Sequence, residues 1–169
     1  MTFQKILVAL ELSPRDESVF FEALSLAENI KAQLTLIHCL SDPTEMAMMS
    51  QTGLDTGYGL PITPSASTIS PAMVNMDLIK EANITKHHEA EKHLELYQQQ
   101  ASSKGVSVES KCYESTGNIG LKICQIAQDL NVDLIVLGRK GHNSIAEALL
   151  GSVSNYVLHH APCAILVIQ

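Results

Sequence analysis

Leu134-Ile135-Val136-Leu137-Gly138-Arg139-Lys140-Gly141, followed after nine intervening residues by Gly151-Ser152, reads as a strand emptying into a glycine-punctuated loop and then a helix start. The unbroken apolar run suits a strand of a parallel sheet, buried on both faces. Glycines at 138 and 141 let the main chain turn tightly and approach a ligand with no Cβ in the way. The helix beyond them, expected over 153–160 with Ser152 as its cap, turns free N–H groups toward any anion held by that loop. Neither common phosphate motif fits: a Walker-type loop ends in Gly-Lys-Ser/Thr, and the dinucleotide fingerprint needs glycines two and then three residues apart.

Outward from this stretch, strand-like and helix-like runs alternate, the pattern of a parallel sheet covered by helices. Strands are expected over 6–10, 34–39, 106–113 (nearer the sheet edge), 133–137 and 164–168. Ser13-Pro14 reads as the start of the first helix, with Ser13 as cap and Asp16 and Glu17 near the positive end of its dipole. Phe20, Ala23, Leu24, Ala27 and Ile30 share one face of that helix. A long helix is expected from Asp77 until Lys104-Gly105 stops it, and a further one over 117–130 with Ile119, Ile123, Ile126, Ala127 and Leu130 inward. Between about 43 and 75 the period disappears into Pro, Gly, Ser and Thr clusters, read as a flexible insertion rich in Met. The chain is thus expected to be α/β: one domain over 1–169, an open five-stranded parallel sheet with helices on both faces, Rossmann-like.

Composition narrows the function classes. At 169 residues the chain is long enough to bury a core, and its aromatics amount to only 4% with no Trp, so Leu, Ile, Val and Ala must build that core. A formal charge of −7 argues against non-specific nucleic-acid binding, which needs clustered Lys and Arg. Cys39, Cys112, Cys124 and Cys163 form no C-x-x-C pair and read as reduced thiols. No apolar run approaches a membrane span and no leader-like segment precedes the first strand, so a cytoplasmic location is expected, with no membrane partner. His87 with Glu91 lacks the second histidine that a metal pair on a helix wants, and no metal ligand is named. His38 reads as a packed core residue, and His159-His160 as cations at a helix C-terminus.

The spacing Gly138, Gly141, Gly151-Ser152 resembles that of the ATP-binding members of the universal stress protein family: Gly, two residues, Gly, nine residues, Gly and Ser or Thr. The flanking segments agree, namely Val132-Asp133-Leu134-Ile135-Val136-Leu137, Ala161-Pro162-Cys163-Ala164-Ile165-Leu166-Val167-Ile168, Lys5-Ile6-Leu7-Val8-Ala9-Leu10-Glu11-Leu12-Ser13 and Leu34-Thr35-Leu36-Ile37-His38. The resemblance implies an adenine nucleotide alpha-hydrolase-like fold and a stress-response protein that binds ATP, or AMP or ADP, as a switch. Mg²⁺ would ride on the phosphates. It places Ala9, Leu10 and Glu11 at the adenine and ribose, Cys39 beside the base with Leu137 flanking, Gly138 and Gly141 at the ribose and phosphates, and Gly151, Ser152 and Val153 at the phosphates. Arg139 and Lys140 are the cations of the loop.

The resemblance also implies a homodimer through the C-terminal strand. The chain departs from the family pattern at Glu11, where relatives usually have Asp; the extra methylene moves the carboxylate by about 1.5 Å. It departs again at Leu10, in place of a small polar residue, and at Ala164, in place of proline. No catalytic residue is assigned. A slow ATPase or phosphotransferase would need a residue to position water or a hydroxyl, for which only Glu11 and His142 offer themselves; a nucleotide-free dimeric scaffold is the third reading.

Overall fold

The computed structural model describes residues 3–41, 76–139 and 151–169, with backbone alone for 76–79. The strands are β1 (Lys5–Leu10), β2 (Gln33–Ser41), β3 (Val108–Ser115), β4 (Leu134–Gly138) and β5 (Ala164–Ile168); the helices are α1 (Asp16–Ile30), α2 (Met76–Ser103), α3 (Ile119–Asp129) and α4 (Ser152–His160). The strands form one parallel sheet in the order β3-β2-β1-β4-β5, the α/β architecture expected from the alternating pattern. The segment over 43–75, read as an insertion, lies outside the described residues.

Period-two alternation along the strands splits the interior in two. Ile6, Val8, Leu10, Leu34, Leu36, Leu134 and Val136 pack with α1 and α2, where Phe20 of α1 meets Tyr97 of α2 at 4.4 Å between ring centroids. Leu7, Ile37, Ile135 and Leu137 pack instead with Ile123, Ile126, Ala127 and Val157 of α3 and α4. Each fully buried aliphatic or Phe side chain contributes about 1.5–3 kcal/mol. The second layer is tight. A Cβ on Gly120 would sit 2.8 Å from the Tyr156 Cβ, so α3 and α4 approach as closely as a bare glycine permits.

Three helices end alike. At Lys31, Gly105 and Asn131 the backbone turns to positive φ, and the next residue's N–H closes back on the helix, Ala32 to Ala27 O, Val106 to Ala101 O and Val132 to Ala127 O. Each closing residue is itself buried, which is the arrangement of a Schellman cap. It also explains why β3 begins at Val108 rather than at the expected 106: the Val106 N–H is spent on the helix end. At their far ends β2 and β3 run two residues beyond the expected limits, through the pairs Leu40 with Glu114 and Ser41 with Ser115.

Two expected caps are displaced. α1 starts at Asp16, with Arg15 in the cap position and no side-chain cap. Ser13 serves the preceding turn through its carbonyl, which accepts the Asp16 N–H, because Asp16 is drawn inward instead of lying on the surface. In α4 the cap position belongs to Gly151, and Ser152 is the first helical residue.

Beneath the sheet Asp133 ties β4 to β1, its Oδ2 accepting the Gln4 and Lys5 N–H groups at 2.8 and 2.9 Å. Those two bonds hold its carboxyl below the usual aspartate range. A depressed folded-state pKa contributes stability that is present above the unfolded value and lost as pH falls through the folded one. Asp133→Asn is therefore expected to lower the melting temperature at pH 7, with the gap to the parent closing as pH drops below about 4; thermal denaturation across pH 2–7 measures it.

Candidate functional site

β1 has β2 on one side and β4 on the other, so the winding direction reverses between β1 and β4, and their carboxyl ends diverge into a crevice. On the α3/α4 side of this crevice lies a cavity of about 190 Å³. One row of the sheet forms its floor: Ile37, Ala9 and Leu137 stand in register across three strands. Ala9 is the small member of that row, and the volume a larger side chain would fill stays open. Glu11, Cys39 and Gly138 line the walls, and Ile119, Ile123 and Val153 approach from the starts of α3 and α4.

Seven of the residues singled out in the sequence therefore border one cavity: Ala9, Leu10, Glu11, Cys39, Leu137, Gly138 and Val153. Leu10 does so while its side chain belongs to the opposite core. Its carbonyl accepts the His38 Nδ1–H at 2.8 Å, which makes His38 the packed, buried residue expected. Gly151 and Ser152 head α4 without lining the cavity; by position, the first N–H groups of that helix have no intrahelical acceptor. Arg139 also stands outside it, its N–H on Ile168 O at 2.7 Å and its carbonyl accepting from Arg15 Nη1 at 2.9 Å. Gly141, Lys140 and His142 lie outside the described residues.

Gly138 has a second reason to be glycine. A Cβ there would come within 3.1 Å of Val19 Cγ2 on α1, so packing against α1 restricts the position. Ile37, Ile119 and Ile123 are lining residues that sequence reasoning read only as strand or inward helix positions. Their signal was present: Ile37 precedes Cys39 by one strand repeat, and Ile119 and Ile123 open a helix that starts at the carboxyl end of β3.

The cavity wall is apolar enough to change the chemistry of its thiol. Burial pushes Cys39 up to about 11, with Lys122 opposing the rise and Cys112 adding to it. At neutral pH Cys39 is a protonated, weakly polar surface suited to a flat apolar ligand and unsuited to nucleophilic attack. Burial raises Cys112, on the adjacent strand, to about 11 as well.

The profile of the universal stress protein family matches residues 63–169. The chain belongs to this family. Over its whole length it is 31% identical to the universal stress protein Sll1388 of Synechocystis, covering 99% of that protein. Among solved structures, the universal stress protein UspA from Lactobacillus plantarum superposes with a TM-score of 0.73 at 23% identity, covering 100% of this chain and 99% of that one. The universal stress protein from Archaeoglobus fulgidus in complex with dAMP does so with a TM-score of 0.59 at 18% identity, each chain covered in full. These structural likenesses establish the shared fold. No described helix is long and apolar enough to cross a membrane.

The raised thiol sets a measurable reactivity. At pH 8 iodoacetamide is expected to alkylate Cys39 on the order of 10²-fold more slowly than an unperturbed thiol, because the thiolate fraction falls with each unit of pKa. Peptide mapping of labelled protein against time reads this directly.

Proposed function

We propose that this protein binds an adenine nucleotide, ATP or AMP, in the cavity at the β1/β4 crevice and acts as a nucleotide-dependent switch in the stress response. The observation that carries the reading is the convergence of Ala9, Glu11, Cys39, Leu137, Gly138 and Val153 on one cavity at the point where the winding reverses. The dAMP bound by the Archaeoglobus fulgidus relative supports it. Pockets for drug-sized ligands begin at about 300 Å³, so a cavity of about 190 Å³ takes the base and leaves the sugar at its mouth and the phosphates outside.

In this arrangement the base lies on Ala9 between Cys39, Ile37, Ile119 and Ile123, with Leu137 at its flank. Glu11 accepts from the ribose hydroxyls. The phosphates run past Gly138 and Gly141 toward the N–H groups of Gly151, Ser152 and Val153, with Arg139 supplying positive charge nearby. Any Mg²⁺ is carried by the phosphates and its own waters. Because the nucleotide binds the folded protein and not the unfolded chain, occupancy stabilises the folded form by mass action. AMP or ATP at about 100 times Kd is expected to raise Tm by roughly 5–10 °C. Ala9→Leu, which fills the floor, and Gly141→Val, which stiffens the loop, are each expected to abolish the shift and the heat of binding in calorimetry. A parent protein that gives neither shift nor heat overturns the reading.

The same proposal includes a homodimer through β5. This edge strand is wholly apolar, Ala164-Ile165-Leu166-Val167-Ile168, and its residues from 165 to 168 are only half-buried in the single chain. An apolar edge with unpaired backbone groups is a template for a second strand, and a two-fold axis beside it pairs the strand with its own copy. All four cysteines are free thiols, in keeping with a reducing, cytoplasmic setting. Sedimentation velocity is expected to give a dimer for the parent and a monomer for Val167→Lys, whose charge would lie in the pairing seam.

A further inference from the structure

The turn between β1 and α1 holds a group that the proposed binding mode leaves unused. Asp16 opens α1, yet it is only 3% exposed and points backward. Its Oδ1 accepts the Glu11 N–H at 3.0 Å and the Ser13 Oγ–H at 3.3 Å, while its Oδ2 accepts the Leu12 N–H at 2.7 Å. A helix cap would accept N–H groups from the helix that follows. Asp16 accepts them from the residues that precede it, so its carboxylate shapes the turn and not the helix. Between those bonds Leu12 is held at φ +57°, a left-handed conformation that non-glycine residues avoid. The Leu12 side chain is 36% exposed, so packing offers little reason for it to stay there. The same turn is tied across the crevice: Arg15 Nη1 donates to Arg139 O, on the first residue after β4.

We propose that Asp16 is a positioning residue for nucleoside recognition, holding the β1–α1 turn against the strain at Leu12 so that Glu11 stands at the cavity. This rests on the adenine-nucleotide reading above. Charge-assisted bonds to backbone N–H groups are about twice as strong as neutral ones, and burial shields these from competing water. Glu11 reaches the cavity because its own N–H is fixed. Its longer side chain then works from a defined origin, which is what a carboxylate one methylene longer than aspartate requires to meet a ribose.

The test pairs amide hydrogen exchange with AMP and ATP calorimetry on Asp16→Asn, Leu12→Gly, the double variant and Leu12→Val. Asp16→Asn keeps the size of the side chain but sets an amide N–H₂ against backbone donors. It is expected to speed exchange at the Glu11 and Leu12 amides and to weaken AMP binding, each by about tenfold, while the amides of Val8 and Ala9 stay as in the parent. Adding Leu12→Gly restores binding to within about threefold, because glycine takes a positive φ without being held there. Leu12→Val, with Asp16 intact, reproduces the loss, since a branched residue resists that conformation. The proposal is overturned if Glu11 and Leu12 exchange in Asp16→Asn as they do in the parent. It is equally overturned if exchange rises uniformly along β1 and glycine restores nothing, the pattern of a residue that serves stability alone. Should Asp16→Asn fail to fold, the contrast at position 12 decides: valine must weaken binding and glycine must not. If the parent binds neither AMP nor ATP, the functional reading fails by itself, and exchange at Glu11 and Leu12 still decides whether Asp16 holds the turn.

Discussion

β1 hydrogen-bonds to a strand on each side, and the rest of the molecule is arranged by that fact. From β1 the chain moves outward through β2 to β3, then returns across the sheet to lay β4 against the other edge of β1 and continue to β5. Right-handed crossovers put connections that run in opposite directions on opposite faces. Hence α1 and α2 share one layer, α3 and α4 the other, and among the described elements the two layers part above β1 and β4. The cavity lies there because the helices that follow these two strands, α1 and α4, pack on different faces of the sheet.

The floor of the cavity follows from the pleat. Alternate residues of β1 face opposite cores, so Ala9 looks into the α3/α4 layer between Ile37 and Leu137, while Leu10 looks into the α1/α2 layer. A shift of one residue in the register of β1 would bury Ala9 elsewhere and fill the site with Leu10. Register here is set by long apolar residues on both sides, Leu7 in one core and Ile6 and Val8 in the other, each fully buried. The energy that fixes the site therefore resides below it, in the packed half of the strand, and the residues at its mouth are left free to be chosen for chemistry.

Those mouth residues are held by polar groups instead. Asp16 engages the backbone of Glu11 and Leu12, Arg15 reaches the carbonyl of Arg139, and the Arg139 N–H bonds to Ile168 O. The series runs from the β1–α1 turn across the loop leaving β4 to the end of β5, the strand through which the dimer is proposed. The backbone of Arg139, outside the cavity itself, thus links the turn at the mouth of the crevice to the end of β5.

Much of this was legible in the linear chain. The apolar run 134–137 located β4, β5 begins and ends at the residues expected, and the alternation of periods announced a parallel sheet, because these features depend on neighbours along the chain. Gly105 marked a helix end for the same reason: glycine at positive φ is a local preference. Lys31 and Asn131 end helices in the same conformation without that mark, since what holds them there is the burial of Ala32 and Val132 in the assembled core. Ser13 and Ser152 had the right side chains to cap helices, and both were displaced, one by an aspartate drawn inward, the other by Gly151 at the cap position. Ile37, Ile119 and Ile123 became cavity walls only when separate elements met. The sequence by itself determined which segments are strands and helices and which glycines punctuate them, because those are short-range matters of sterics and periodicity. Only the tertiary structure decided which residues face one another across the crevice and where Asp16 directs its carboxylate, because those depend on burial between segments far apart in the chain.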